Sequence, residues 1–168
     1  ERHKESCKSA SMAAASGGVT SIVTFPNTIP VIDNPELLEF FMKRARESSK
    51  VRILPTAAIT KKVEGKEISE LSFLQDAGAI AFTNGLKTIK DPKILLRALN
   101  YASSLHSLFI GHCEDYYLSN KVSATSSLFS TKMGLSSAPR ETELMGLERD
   151  ALLSDLAKVN YHAAQITT

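Results

Sequence analysis

Four polar side chains able to act as ligands stand where apolar runs of this chain end. Asn27 follows the run 19–25, Asn84 follows 79–83, His112 follows 108–111, and Gln165 lies within 161–167. An imidazole can ligate a metal or move a proton near neutral pH. A side-chain amide offers an oxygen acceptor and two N–H donors. Each residue also has an ordinary reading. Asparagine after Pro26 or before Gly85 is a common turn former, and a lone histidine is often only a hydrogen-bonded core or surface residue. Their shared position, each at the end of a run, is what distinguishes them. His112 adds a glycine before it and two acids, Glu114 and Asp115, after it.

The elements that must position these residues follow from the changing period of the apolar pattern. A small-residue helix ends at Ala13-Ala14-Ala15 and is stopped by Gly17-Gly18, and a first strand spans 19–25. After a loop over 30–35, Leu37, Leu38, Phe41, Met42 and Ala45 recur at helical spacing, and a second strand covers 51–59. The pattern then predicts a helix over 67–77 closed by Gly78, a third strand over 79–83, and a helix with Asp91 as N-cap and Pro92 in its first turn. That helix, carried by Leu95, Leu99, Ala102 and Leu105, leads to a fourth strand at 108–111. Residues 117–139 are rich in Ser, Thr and Lys and read as an irregular loop able to act as a lid. Leu144, Leu147, Ala151, Leu152 and Leu156 define the apolar face of the next helix, and 161–167 a fifth strand.

Strands alternating with helices imply parallel βαβ units, in an open doubly wound sheet or a barrel. In a parallel barrel the strand ends share one face, and active sites are built there. Five such strands across 168 residues fall short of the eight in a complete (β/α)8 TIM barrel. The expectation is one α/β domain over residues 1–168 that supplies part of a barrel, with both ends missing.

Composition narrows the partners. With 43% apolar and 23% charged residues and a net charge of +2, the chain is an ordinary globular sequence without the basic stripe that nucleic acid requires. Its apolar runs fall well short of the roughly 20 residues that cross a bilayer, so no membrane partner is expected. Cys7 and Cys113 are too far apart for a zinc-finger pair and read as reduced thiols of a cytoplasmic protein.

Longer stretches resemble a family. Residues 13–23, Ala-Ala-Ala-Ser-Gly-Gly-Val-Thr-Ser-Ile-Val, running into Phe25-Pro26-Asn27-Thr28-Ile29-Pro30-Val31-Ile32-Asp33, resemble the segment after the first metal-binding strand of dihydroorotases, cyclic amidases of the amidohydrolase superfamily. The stretch 1–6 is similar to the start of the helix before it, 79–85 to the fourth-strand motif, His112-Cys113-Glu114-Asp115 to the fifth, and 161–168 to the sixth. The resemblance covers almost the whole chain in order and assigns its strands as the second to sixth of a (β/α)8 barrel.

What the resemblance implies is a metal-dependent hydrolase interconverting dihydroorotate and N-carbamoyl-aspartate in pyrimidine biosynthesis. In such a site a metal, typically zinc, lowers the pKa of bound water and polarises the scissile carbonyl. Asn27 matches the contact to the substrate carboxylate and His112 the fifth-strand metal ligand. Asn84 stands where relatives have a bridging aspartate, and Gln165 where they have the sixth-strand histidine. Both substitutions put a poor neutral donor in place of a good ligand, so at most one zinc ion is expected, held partly by residues outside this chain. His162, an odd number of residues from Gln165, is expected to point away from the barrel interior. Lys87, beyond Gly85, is too far along to replace the bridge. The family's His-x-His pair and late aspartate are absent, so these residues alone are not expected to catalyse the reaction.

Two further readings stand beside the enzyme. One is a dihydroorotase-like scaffold that has lost its metal site and associates with aspartate carbamoyltransferase, or with a second copy as a homodimer. The other is a sister amidase, dihydropyrimidinase or allantoinase, which normally carries a bridging lysine on the fourth strand, where this chain has Phe82-Thr83-Asn84-Gly85.

Overall fold

The structure, a computed structural model, describes residues 5–167. The parts of the family motifs at 1–4 and at 168 lie outside the described residues. Helix α1 (Cys7–Ser16) is opened by a Ser6–Ser9 capping box and closed at Gly17. Gly18 at φ +78° then turns the chain into β1 (Ser21–Thr24), a left-handed conformation that glycine adopts without penalty. Asn34 caps α2 (Pro35–Ser48) by accepting from Leu37 N, with proline in its first turn. The next strand is divided into β2 (Arg52–Pro55) and β3 (Ala57–Ala58).

Parallel pairing runs β1–β2 and then β3–β4–β5–β8, with β4 at Ala81–Thr83, β5 at Leu108–His112 and β8 at Asn160–Ala164. Thr56 is the pivot between the two sheets. Its N–H and hydroxyl both donate to Thr24 O (3.0 and 2.7 Å), while the residues on either side pair with β1 and β4 respectively. Each principal strand therefore neighbours the one before it, and the order never reverses. A doubly wound sheet has a switch point; a strictly sequential order with staggered registers is the arc of a barrel. The fold is a part of a TIM barrel.

The arc has two faces. Outward, Phe82, Ala57, Ile59 and Phe109 pack with Leu38, with Leu71 and Leu74 of α3 (Leu71–Asp76), and with Leu95, Ala98, Leu99 and Ala102 of α4 (Pro92–Ser104). Phe82 is fully buried. Inward, Ala81, Ile110 and Ala164 form a smaller cluster with Phe25 and Leu108. Asp91 caps α4 through Lys93 N at 2.8 Å, with Pro92 at its first turn, as the sequence predicts.

Three expectations are corrected. The helix placed over 67–77 begins only at Leu71, because Ile68 instead bridges antiparallel to Thr60, and Glu67 O accepts from Lys61 N. The segment 117–139 is not irregular. It holds α5 (Tyr116–Ser119), α6 (Leu128–Lys132) with a Ser127–Ser130 capping box, and a small parallel pair, β6 (Ala124–Thr125) with β7 (Ser137–Ala138).

The third correction concerns α7 (Glu141–Ala157), which turns the other way round. Thr142, Gly146, Asp150, Ser154 and Ala157 are buried, whereas Leu144, Leu152 and Leu156 are 50%, 70% and 65% exposed. Close approach decides this. A Cβ on Gly146 would lie 2.4 Å from Glu114 N, so only the stripe of small residues can seat against the end of β5.

Candidate active site

All four predicted residues lie at or just beyond the C-terminal ends of parallel strands. The structure joins them in two pairs. Asn27, exposed in the loop after β1, packs against the turn after β4: a Cβ added to Gly85 (φ +64°) would meet Asn27 Cγ at 3.3 Å. Glycine is suited there both by its left-handed backbone and by this contact. The loop is fixed from within by Thr28, whose hydroxyl donates to Pro30 O at 2.6 Å, and by Ile32 N, which donates to Pro26 O at 3.0 Å.

Asn84, only 3% exposed, is held by Thr60 at the end of β3. Its Oδ1 accepts from Thr60 N (3.2 Å) and Oγ1 (3.0 Å), and its Nδ2 donates to Thr60 Oγ1 at 2.8 Å. A neutral amide satisfies both sides of that lock, whereas a carboxylate would lose the donor half. Asn84 therefore ties two strand ends together.

The second pair shares a cleft of about 480 Å³ walled by His112, Glu114, Arg140, Thr142, Glu143 and Gln165, among others. His112 ends β5. Its Nε2 lies 3.0 Å from Glu114 Oε2, while its Nδ1 is buried without a hydrogen-bond partner, as is Thr142 Oγ1 on the same wall. Gln165 is exposed at φ +60°, just past β8, and not within a strand. The predicted strand to 167 stops at Ala164 because the chain turns toward α7: Thr167 N and Oγ1 donate to the two carboxylate oxygens of Glu143 at 2.7 and 2.8 Å. That turn also corrects His162. It is registered beside Ile110 and shares the inner face with Ala164, because strand alternation does not extend to Gln165. Lys87 lines a neighbouring cleft with Thr88, Lys90 and Tyr116.

Behind His112 lies a buried polar layer that the sequence reading missed. Asp150, 2% exposed, accepts from Arg149 Nε (2.9 Å) and Nη2 (2.7 Å), and Arg149 Nη2 also donates to Thr88 Oγ1 at 3.0 Å. Burial pushes the Asp150 carboxyl above its ordinary value, with the Arg149 guanidinium opposing. Tyr161 Oη lies 3.0 Å from Cys113 Sγ. Burial raises both groups, and their mutual bond raises the phenol further while lowering the thiol, as expected if the phenol donates to sulfur. The available signal was the i, i+4 run Thr142, Gly146, Asp150 and Ser154, a small-residue stripe carrying one acid.

As a metal centre the donor set fits poorly. Among the described residues no three His, Cys, Asp or Glu side chains gather to hold an ion. His112 has its Nε2 on Glu114 and its Nδ1 buried, the Asn84 amide is taken up by Thr60, and Gln165 offers only a neutral oxygen. What the cleft can do unaided is hydrogen-bond a polar ligand and exchange a proton between His112 and Glu114.

Comparison with known proteins matches this arrangement to a family. The chain is 40% identical over 166 residues to a dihydroorotase from Syntrophus aciditrophicus, covering 99% of this chain and 39% of that one. It is 38% identical over 168 residues to a dihydroorotase from Sulfurihydrogenibium, covering 100% and 40%. It thus spans about two fifths of these relatives. Among solved structures it is similar to L-hydantoinase (dihydropyrimidinase) from Arthrobacter aurescens, with TM-score 0.76 and 19% identity over 94% of this chain and 36% of that one. A D-hydantoinase gives TM-score 0.71 and 22% identity over 98% and 37%, and both likenesses speak to the barrel fold. The family model described as dihydro-orotase-like matches residues 2–168, and with strand order and strand-end motifs agreeing along that length, the chain belongs to the dihydroorotase-like family.

Proposed function

We propose that this chain supplies the second to sixth strands of a cytoplasmic cyclic amide hydrolase that interconverts dihydroorotate and N-carbamoyl-aspartate. The observation that carries the reading is the meeting of the Pro26-Asn27-Thr28 loop with the Asn84-Gly85 turn at the end of the arc where His112 opens onto its cleft. Asn27, exposed and backed by a fixed loop, presents its amide to the substrate carboxylate. His112, on the wall of that cleft with Glu114 on Nε2, contributes its imidazole to the ring amide or to a single metal ion for which it is the one ligand from this chain. The dihydroorotase names of the curated relatives support this substrate over those of the sister amidases. Because the donors present do not build a metal centre, no step is assigned to one.

That deficit favours a second reading. A member with amides at Asn84 and Gln165 serves as a non-catalytic partner of aspartate carbamoyltransferase or of another copy of itself.

The test is dihydroorotate hydrolysis with added zinc, by the full-length protein that contains this chain and by its Asn27→Ala variant, each alone and with aspartate carbamoyltransferase. An enzyme should turn over, and the variant should raise KM by roughly 10- to 100-fold for loss of a hydrogen bond to a charged group. Absence of turnover with stable association to the transferase would reject the enzyme for the scaffold.

A further inference from the structure

We propose that a second cleft, adjoining the first at Leu86 and Glu114, binds a small phosphate-bearing polyanion of the pyrophosphate type. It has a volume of about 540 Å³ and is bounded by residues 63–66, the loop after β4 and the segment from Tyr116 to Lys121. Lys66, Lys87, Lys90 and Lys121 all reach it, although the chain as a whole carries a net charge of only +2. The cluster is therefore local, not a reflection of overall basicity.

The two acids on its walls are already engaged. Glu64 Oε2 lies 3.5 Å from Lys66 Nζ, and Glu114 Oε2 lies 3.0 Å from His112 Nε2. Among the described residues, Lys87, Lys90 and Lys121 make no carboxylate ion pair. Lys90 Nζ instead sits 3.3 Å from the centre of the Tyr116 ring, which holds the ammonium at the wall. Three ammoniums, two from the loop after β4 and one from Lys121, repel one another on one concave surface, and an anion of two or more charges converts that repulsion into attraction.

The kind of donor selects the kind of anion. No arginine lines the cleft, so the planar fork that grips a carboxylate through two bonds is missing. Lysines acting as point charges suit phosphate oxygens. Thr88 adds a hydroxyl: its Oγ1 accepts from Arg149 Nη2, which leaves its own proton free to donate into the cleft. This site does not depend on turnover in the His112 cleft.

The experiment is calorimetric titration of the 168-residue chain with inorganic pyrophosphate, with succinate as a dicarboxylate comparison. It is repeated on Lys87→Gln/Lys121→Gln and on a remote control, Lys43→Gln/Lys50→Gln, which removes the same charge. Circular dichroism melts establish that all three proteins are folded. Pyrophosphate should saturate a single site, bind at least about tenfold more weakly to the cleft variant than to the control, and weaken as salt is raised. Absence of saturable pyrophosphate binding, equal weakening in both variants, or succinate binding as tightly as pyrophosphate would each overturn the proposal.

Discussion

At Cys113, burial and hydrogen bonding determine reactivity more than the identity of the side chain does. The thiolate is the nucleophile, and Cys113 sits 4% exposed beside Tyr161 with its ionisation pushed up by burial, while Cys7 is half-buried on a terminal helix. Iodoacetamide at neutral pH should therefore modify Cys7 well before Cys113, as read by peptide mass spectrometry; equal rates would contradict the packing around β5. Asp150 carries a different consequence. Its folded-state value is raised above the ordinary 3.8, so its contribution to stability is fully present below that value and lost as pH rises through the folded one. Relative to Asp150→Asn, the wild type should lose thermal stability as pH climbs from about 4, and a flat difference between the two melting profiles would refute the assignment. His112 was legible in the sequence because it closes an apolar run, whereas Asp150 was not, because its burial depends on which face of α7 turns inward.

The choice of face on α7 also shows why elements are less legible than residues at their ends. Hydrophobic periodicity assigned the leucines to the core, yet Leu152 is 70% exposed and the small stripe is inside. Periodicity weighs side chains one helix at a time, but the distance at which two backbones can meet is a property of the pair, and Gly146 against Glu114 sets it. Gly146→Ala should therefore destabilise the protein by about 1–3 kcal/mol through overpacking. Leu152→Ser should change stability by no more than roughly 0.5 kcal/mol, the usual range for an exposed site. Urea denaturation of both variants checks the pair, and the reverse ranking would restore the leucine face. The boundaries at Asp91 and Gly17 were read correctly because caps are local chemistry. The Ser127–Ser130 capping box has the same local character, but it sits in a segment without apolar period and was passed over.

Across the whole molecule, the sequential strand order requires the C-terminal ends of β4, β5 and β8 to lie side by side on one curved edge. Asn84, His112 and Gln165 occupy those ends, so substituting better ligands at the outer two should create a metal site around His112 if the arc curves as a barrel does. The local geometry allows both changes. At Gln165 the backbone is at φ +60°, a conformation in which histidine is among the better tolerated side chains, and the residue is exposed. At Asn84 a carboxylate would keep the two bonds donated by Thr60 but lose the one that Asn84 Nδ2 gives back, so some stability is forfeited. The double variant Asn84→Asp/Gln165→His should bind zinc at least about tenfold more tightly than the wild type, since it adds a carboxylate and an imidazole to a lone histidine. Competition with a chromogenic chelator measures this, and adding His112→Ala to the double variant should abolish the gain, because the middle ligand is then removed. A double variant that folds but binds zinc no better than wild type would mean that the three strand ends are too far apart to share an ion, and the curvature inferred from strand order would be wrong.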